Sequence, residues 1–238
     1  MWHLIAPRQD INGNYGGVSP RYWLGAEDVT PVMRERAQRL FARYAVSVRA
    51  SRVVDKYPEL IFRLPYVRAI FPDAHFIFIH RNGNDACQSI AAWSRRLGRQ
   101  TAKGLEDWWG RNDFKWHTLW QELVVSDPVY ADLATLSPAA LDHVNRAAVE
   151  WIVTMQEGLA QCQQHGDAIV RLRYEDLLTA PQATLSQLLQ RCALDDNVEV
   201  HHYATGRLYE NPAKALPELL PPVRRWFDRT MNDLGYAH

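Results

Sequence analysis

Arg81 and Ser89 are the two residues whose types and spacing most directly suggest chemistry. Arg81 follows a run of apolar residues, 76–79, which predicts a strand over 75–80 that is covered on both faces, as in a parallel sheet. Ser89 comes eight positions later, within a segment that predicts a helix over 84–97. A guanidinium can bind phosphate oxygens through two parallel hydrogen bonds, and a hydroxyl adds another donor. The pair therefore predicts a binding site for a phosphate-like anion.

The strand and the helix around Arg81 place it where ligands bind in α/β proteins. Ligands of open parallel sheets bind at the carboxyl ends of the strands, and the strand before Arg81 ends there. The helix that is predicted to begin near Asn84 directs free backbone N–H groups and a partial positive charge at the same edge. Both effects favour an anion beside Arg81.

The remaining elements predict an α/β fold in a single domain, 1–238, with an irregular segment over 1–28. Short strands are predicted at 52–54 and at 168–172. Their alternation with helices implies parallel strands joined by right-handed crossovers, with helices flanking the sheet. Besides 84–97, which is predicted to end at Gly98, the predicted helices are 31–48 after the cap Thr30, 59–71 with a break at Pro65, 138–165 between Ser137 and Gly166, 181–192 and 217–234.

The composition is that of an enzyme-sized domain. The chain has 238 residues, of which 47% are hydrophobic and 23% charged, so it can bury a substantial core. Its 27 basic and 27 acidic residues balance, which argues against nucleic acid or an anionic membrane as a partner. No apolar run approaches the ~20 residues needed to span a bilayer, and the N-terminus has no signal-peptide pattern. We therefore expect a cytoplasmic protein.

The spacing of cysteines and histidines gives no support for a metal site. Cys87, Cys162 and Cys192 are far apart, which favours reduced thiols over a disulfide framework or a zinc site. The nine histidines contain no HExxH or similar pair. We therefore expect no metal cofactor.

Two residues outside the Arg81 segment could be either catalytic or purely structural. Lys56 follows the short strand predicted at 52–54, where its ammonium group could offset charge on a leaving group, or it is a surface lysine. His117 could act as a general base, since an unperturbed imidazole titrates near neutrality, or it lies at the surface or in packing. The sequence alone leaves both pairs of interpretations open.

Tryptophan is concentrated in the segment 102–123. Five aromatic residues fall within the thirteen positions from Trp108 to Trp120. The spacing of Trp109, Trp116 and Trp120 predicts that they share one helix face. The cluster either lines a pocket for an acceptor molecule or packs in the core, where most large aromatic side chains lie.

Three segments, in order, resemble the sulfotransferases that use 3′-phosphoadenosine 5′-phosphosulfate (PAPS). FPDAHFIFIHRNGNDACQSI (71–90) is similar to their 3′-phosphate-binding segment, in which an arginine ends a strand and a serine follows eight residues later. VVDKYPELIFRLPYVRAIFPDA (53–74) resembles the strand, lysine, proline and helix before it, and VRLRYEDLLTAP (170–181) resembles the strand and Tyr-Glu-Asp-Leu turn after it. Together these pieces span roughly 53–190, most of the chain.

The resemblance implies a P-loop-NTPase-like sulfotransferase fold. It implies transfer of a sulfuryl group from PAPS to a hydroxyl or amine of a small molecule or carbohydrate, which releases 3′-phosphoadenosine 5′-phosphate (PAP). It also implies that Arg81 and Ser89 bind the 3′-phosphate, that Tyr174 lies beside the nucleotide, and that Lys56 is catalytic. We expect in-line transfer, with catalysis mainly through positioning and charge neutralisation.

The sequence departs from the sulfotransferase pattern at the cradle for the 5′-phosphosulfate. The family usually opens with a strand, a Pro-Lys/Arg-Ser-Gly-Thr type loop and a helix, and neither 12–17 (NGNYGG) nor 4–8 (LIAPR) matches this unit. We therefore expect the chain to lack this first unit, as a truncated product or a natural variant. Because the lost strand is central in the family's sheet, we expect poor stability or homo-oligomers, with 2–6 as the nearby segment of strand character that could fill the gap.

Two other functions stay open on the sequence alone. A non-catalytic nucleotide-binding remnant would keep the 3′-phosphate site and lack sulfuryl transfer, because the cradle is absent. A P-loop kinase-like protein is disfavoured, since no phosphate loop is present. Binding of PAP but not ATP separates the first two functions from the third, and sulfuryl transfer separates a sulfotransferase from a remnant.

Overall fold

Residues 2–5, 11–12, 21–97, 99–102, 104–208 and 218–236 are described by the structure, a computed structural model. The strands are β1 (Phe76–His80), β2 (Arg99–Thr101), β3 (Gly104–Asp107), β4 (Gly110–Arg111) and β5 (Ile169–Arg173). The helices are α1 (Trp2–Ile5), α2 (Pro31–Ser47), α3 (Leu64–Ile70), α4 (Gly83–Leu97), α5 (Phe114–Leu119), α6 (His143–His165), α7 (Tyr174–Thr179), α8 (Pro181–Arg191), α9 (Val198–Arg207) and α10 (Pro221–Asp233).

The chain divides into two compact units. The first unit comprises 1–74 and 91–146, and the second comprises 75–90 and 147–238. The single domain over 1–238 stays a prediction.

A parallel pair of strands forms the centre of the second unit. β1 and β5 pair over five residues each, so that His80 lies opposite Arg173. Phe78 of β1 packs on Gly158 of α6, where an added Cβ atom would come within 2.2 Å of the phenylalanine ring. The glycine thus lets α6 approach this face of the sheet closely. A small parallel sheet flanked by helices confirms the predicted α/β fold class.

This parallel sheet is smaller and more exposed than the sequence predicts. The strand predicted at 52–54 is wrong, because no neighbouring strand pairs with this segment in the described part of the chain, and Val54 is 87% exposed. The prediction that both faces of β1 are covered is also wrong, since Ile77 and Ile79 are 39% and 49% exposed. Among the described residues β1 and β5 pair only with each other, so each keeps one open edge.

The helices of the first unit follow local sequence signals. α2 begins after Thr30, whose hydroxyl oxygen accepts a hydrogen bond from the amide of Met33, as predicted. The segment predicted as a helix with a break at Pro65 is a 3₁₀ helix, Pro58–Arg63, followed by α3. These elements depend on capping and on proline, which act within a few residues.

Two short segments of the first unit differ from their predictions. Residues 2–5 form the helix α1 and not a strand, and the indole of Trp2 donates a hydrogen bond of 2.7 Å to Asp55. The antiparallel sheet β2–β3–β4 was not predicted. Its strands have only two to four residues, too few for an alternating pattern to stand out.

Three tryptophans of segment 102–123, Trp109, Trp116 and Trp120, pack in the core of the first unit. Trp109 precedes α5, so the prediction that it shares a helix face with the other two is wrong. The ring centroids of Trp109 and Trp116 are nevertheless 5.6 Å apart, and those of Trp116 and Trp120 are 5.4 Å apart. All three side chains are at most 2% exposed. They therefore pack in the core and do not line a pocket for an acceptor molecule.

The long helix predicted over 138–165 is interrupted near its start. Pro138–Ala140 forms a separate 3₁₀ turn, and α6 begins only at His143. The carboxylate of Asp142 accepts a hydrogen bond from the amide of Asn145, so Asp142 takes the capping role predicted for Ser137. The helix ends before Gly166, as predicted, where the backbone adopts a φ of 51°.

Other helix boundaries are close to their predictions. α4 and α8 match the predicted segments within one residue, whereas α9 was not predicted. α10 begins at Pro221, four residues after the predicted start. Gly98, 13–17 and residue 217 lie outside the described residues.

Candidate functional site

Arg81 and Tyr174 meet at the carboxyl edge of the parallel strand pair. Because His80 lies opposite Arg173, the next residue of each strand leaves the sheet at the same edge. The guanidinium carbon of Arg81 lies 4.9 Å from the centroid of the Tyr174 ring, a distance typical of a cation–π contact. The structure thus brings together two of the residues that the sequence predicts for one site.

The guanidinium of Arg81 keeps hydrogen-bonding capacity for a ligand. Its side chain is 31% exposed, and its Nη2 atom lies 3.9 Å from Oδ2 of Asp85, too far for a hydrogen bond. Its Nε atom is buried and has no hydrogen-bond partner among the described residues. A buried donor without a partner costs about 1–3 kcal/mol. An anion bound at Arg81 would remove this cost.

The helix α4 begins at Gly83, two residues after Arg81. Asn82 caps the helix, because its Oδ1 atom accepts a hydrogen bond of 2.9 Å from the amide of Asn84. The carbonyl of Asn82 accepts a second one of 3.0 Å from the amide of Ala86. The helix dipole favours negative charge at this end of the helix, although the amides of Gly83 and Asn84 already have partners within the protein.

Gly83 allows the turn between β1 and α4 to lie against the core of the second unit. An added Cβ atom would come within 2.6 Å of the Phe227 ring and 2.9 Å of the Trp151 ring. The amide of Gly83 lies 3.3 Å from the sulfur of Met231. Only glycine fits this position. Sequence reasoning missed its role, because the glycine of Arg-Asn-Gly-Asn carries no more than a general turn signal.

Ser89 is exposed on α4. It lies four residues after Asp85, on the same helix face and one turn further from the sheet edge. No contact among the described residues links its hydroxyl to Arg81 or Tyr174. Its place in the phosphate site stays a prediction.

Lys56 and His117 belong to the first unit, whereas Arg81, Ser89 and Tyr174 belong to the second. Lys56 is exposed, and its ammonium group makes no hydrogen bond or ion pair within the described part of the chain. His117 is exposed on α5. The functional roles of both residues stay predictions.

Side chains that sequence reasoning missed form a connected polar group at the same sheet edge. Glu175 accepts one hydrogen bond of 2.8 Å from the amide of Asn82 and another of 2.8 Å from the hydroxyl of Tyr236. That hydroxyl lies 3.2 Å from Nδ1 of His80, and Arg171 donates to Nε2 of the same ring at 3.1 Å. Tyr236 carries no local signal, because its partner His80 is 156 positions away in the sequence.

Burial determines the protonation states within this polar group. His80 is 3% exposed, and its burial, reinforced by the nearby Arg171, lowers its pKa from 6.5 to about 4. Burial and the adjacent Glu175 carboxylate raise the pKa of Tyr236 above its usual value. At neutral pH, therefore, His80 is uncharged and Tyr236 keeps its hydroxyl proton.

Among the described residues, no helix is both long enough and apolar enough to cross a membrane. Their His, Cys, Asp and Glu side chains form no group of three that could hold a metal ion.

Comparison with known protein families gives a match over part of the chain. A family model described as Sulfotransferase family matches residues 17–127. The match contains Lys56, Arg81 and Ser89, whereas Tyr174 lies beyond it. It supports assigning the chain to the sulfotransferase family, which confirms the family predicted from the sequence, and it supports sulfotransferase activity in general. No curated protein and no solved structure matches the chain.

Proposed function

We propose that this protein is a sulfotransferase that uses PAPS as donor and a hydroxyl or amine of a small molecule or carbohydrate as acceptor. The observation that carries the proposal is the Arg81–Tyr174 pair at the carboxyl edge of the parallel strands, with a buried guanidinium donor that has no partner among the described residues. The family match supplies the reaction class.

The residues at the sheet edge fit a nucleoside 3′-phosphate. Arg81 supplies charge-assisted hydrogen bonds to phosphate oxygens, and Ser89 supplies a hydroxyl from the second turn of α4. The ring of Tyr174 makes a cation–π contact with the guanidinium and offers apolar contact to the adenosine. Asp85 competes only weakly for Arg81, because their charged atoms are 3.9 Å apart in partly exposed side chains.

The proposed reaction moves a sulfuryl group without redox chemistry or a metal. PAPS supplies the sulfuryl group, whose bond to the 5′-phosphate oxygen breaks as the acceptor oxygen or nitrogen bonds to sulfur, with release of PAP and a proton. Lys56 keeps the role implied by the resemblance, in which its ammonium group neutralises charge on the leaving phosphate. His117 is a candidate to accept the proton of the acceptor, since its imidazole is exposed.

PAP binding without sulfuryl transfer is the second candidate function. One sequence observation favours it: residues 1–238 contain no Pro-Lys/Arg-Ser-Gly-Thr type loop, although Arg81, Ser89 and Tyr174 are all present. In relatives, that loop supplies the backbone amides that hold the 5′ end of the donor during transfer.

Binding and transfer measured on the same preparation test these proposals. Calorimetry should show PAP binding at least about tenfold tighter than adenosine 5′-phosphate (AMP), since only PAP has the 3′-phosphate, and no comparable binding of ATP. Transfer of ³⁵S from labelled PAPS to a panel of hydroxyl and amine acceptors then decides between a sulfotransferase and a PAP-binding protein. Equal affinity for PAP and AMP contradicts both.

A further inference from the structure

We propose that Tyr236, His80 and Glu175 are positioning residues that hold the sheet edge in its ligand-binding shape. The inference rests on the proposed function, because it concerns the same nucleotide site. None of the three is expected to touch the nucleotide. Two of them adjoin the proposed ligand-binding residues in sequence, since His80 precedes Arg81 and Glu175 follows Tyr174.

One set of proton positions satisfies the hydrogen bonds of this polar group. Arg171 can only donate, so Nε2 of His80 accepts at 3.1 Å and the proton of the neutral ring lies on Nδ1. Nδ1–H then donates to the hydroxyl oxygen of Tyr236, 3.2 Å away, and the hydroxyl donates to Glu175 at 2.8 Å. The carbonyl of His80 is a weaker acceptor for that hydroxyl, because it is uncharged and lies at 3.3 Å. The chain of hydrogen bonds therefore runs from Arg171 through His80 and Tyr236 and ends at the carboxylate of Glu175.

Glu175 connects the end of β5 to the start of α4. Its Oε1 atom accepts the hydrogen bond from the amide of Asn82, and its Oε2 atom accepts the one from Tyr236. With both oxygens engaged, the carboxylate cannot rotate, and the amide of the capping residue has a fixed acceptor. Arg81 lies between His80 and Asn82 in the chain, so both of its neighbours are held by this group.

Two arginines of β5 hold Tyr236 independently of its hydroxyl. The guanidinium carbon of Arg173 lies 4.4 Å from the centroid of the Tyr236 ring. Arg171 donates a hydrogen bond of 3.1 Å to the carbonyl of Leu234, two residues earlier. The ring itself is buried, with 2% of Tyr236 exposed. Replacement of Tyr236 by phenylalanine should therefore leave the ring in place and remove only the hydroxyl's hydrogen bonds.

The decisive comparison is between Tyr236→Phe and a matched tyrosine that lies outside the group. Tyr203→Phe is the control, because Tyr203 is 67% exposed on α9 and also carries an arginine against its ring. We expect Tyr236→Phe to bind PAP roughly three- to tenfold more weakly than the parent, and Tyr203→Phe to bind it equally well. In the nucleotide-free protein, the amide of Asn82 should exchange its hydrogen faster in Tyr236→Phe by a factor of about ten.

A second variant keeps the test decisive if Tyr236→Phe is poorly folded. Glu175→Ala removes both acceptor oxygens, so it should reproduce both effects. Unchanged exchange at Asn82, unchanged PAP affinity, or faster exchange throughout the second unit would overturn the positioning role. If the parent fails to bind PAP, the proposed function fails, and the exchange of the Asn82 amide still decides whether the group positions the start of α4.

Discussion

The guanidinium of Arg81 lies over the ring of Tyr174, with its central carbon 4.9 Å from the ring centroid. A cation–π contact does not occupy the N–H donors of the guanidinium, so they can still bind an anion. Because the two residues follow paired strands, the aromatic ring orients the cation without competing with a phosphate for its donors. The cation–π contact therefore prepares Arg81 for anion binding.

Removal of the Tyr174 ring should weaken nucleotide binding. A cation–π contact contributes about 0.5–2 kcal/mol, so Tyr174→Ala should reduce PAP affinity by roughly two- to thirtyfold. Tyr174→Phe should bind like the parent, because the ring and not the hydroxyl contacts Arg81. Calorimetry on the folded variants checks both values. If Tyr174→Ala also binds PAP like the parent, the residue only packs the turn before α8.

Substitution of Gly83 should destabilise the second unit. The added methyl group of Gly83→Ala would lie 2.6 Å from the ring of Phe227, and we expect a loss of about 1–3 kcal/mol in the free energy of unfolding. Gly206→Ala is the matched control, because no atom lies within 4 Å of its added Cβ and alanine favours the helix. Urea unfolding measures both, and equal stability of the two variants would contradict the close packing at Gly83.

Acid should lower the free energy of unfolding through the protonation of His80. The folded protein protonates this residue near pH 4, whereas the unfolded chain does so near 6.5. Between these values the unfolded state binds more protons, so the free energy of unfolding falls as the pH drops, by about 3 kcal/mol from this group. Above pH 6.5 the group has no such effect.

Urea unfolding of the parent and of His80→Gln between pH 7 and 4.5 isolates this contribution. Carboxylates titrate in both proteins, so the difference between the two pH profiles reports His80. The parent should lose stability more steeply than the variant. Parallel profiles would show that His80 is not held in its neutral form.

The local part of the site is predictable from sequence. The apolar run of β1, the turn and α4 follow one another within 22 residues, and each obeys signals that act over one or two turns. The parallel direction of β1 and β5 also follows, because alternation with helices favours parallel strands. These two inferences are sufficient to bring Arg81 and Tyr174 to one edge.

The features that sequence reasoning missed depend on residues that are distant in the sequence. The stretch 52–54 has strand-forming residues but no neighbour to pair with in the described part of the chain, and propensity alone does not make a strand. The role of Tyr236 depends on His80 and Glu175, to which no periodicity connects it. The role of Gly83 depends on rings supplied by α6 and α10.

The exposed isoleucines of β1, together with the strand edges that have no partner among the described residues, should promote self-association. Ile77 and Ile79 lie on the same face of the strand, and unpaired strand edges are templates for further pairing. Ile79→Lys should weaken any self-association about tenfold, because it replaces apolar contact with a charge. Val32→Lys, at a 73% exposed position of the first unit, is the control. Sedimentation equilibrium that shows only monomer for the parent at every concentration would contradict the expectation.

The most direct test of the account is the effect of Arg81→Ala on the affinity for PAP and for AMP, measured by calorimetry. Loss of charge-assisted hydrogen bonds to the 3′-phosphate should weaken PAP binding by about ten- to a hundredfold and leave AMP binding nearly unchanged, and Ser89→Ala should weaken PAP binding several-fold. Arg191→Ala is the matched control, because Arg191 pairs with Asp167 at the surface of the same unit. Equal losses for PAP and AMP in Arg81→Ala, or no loss for either, would contradict the assignment of the 3′-phosphate site.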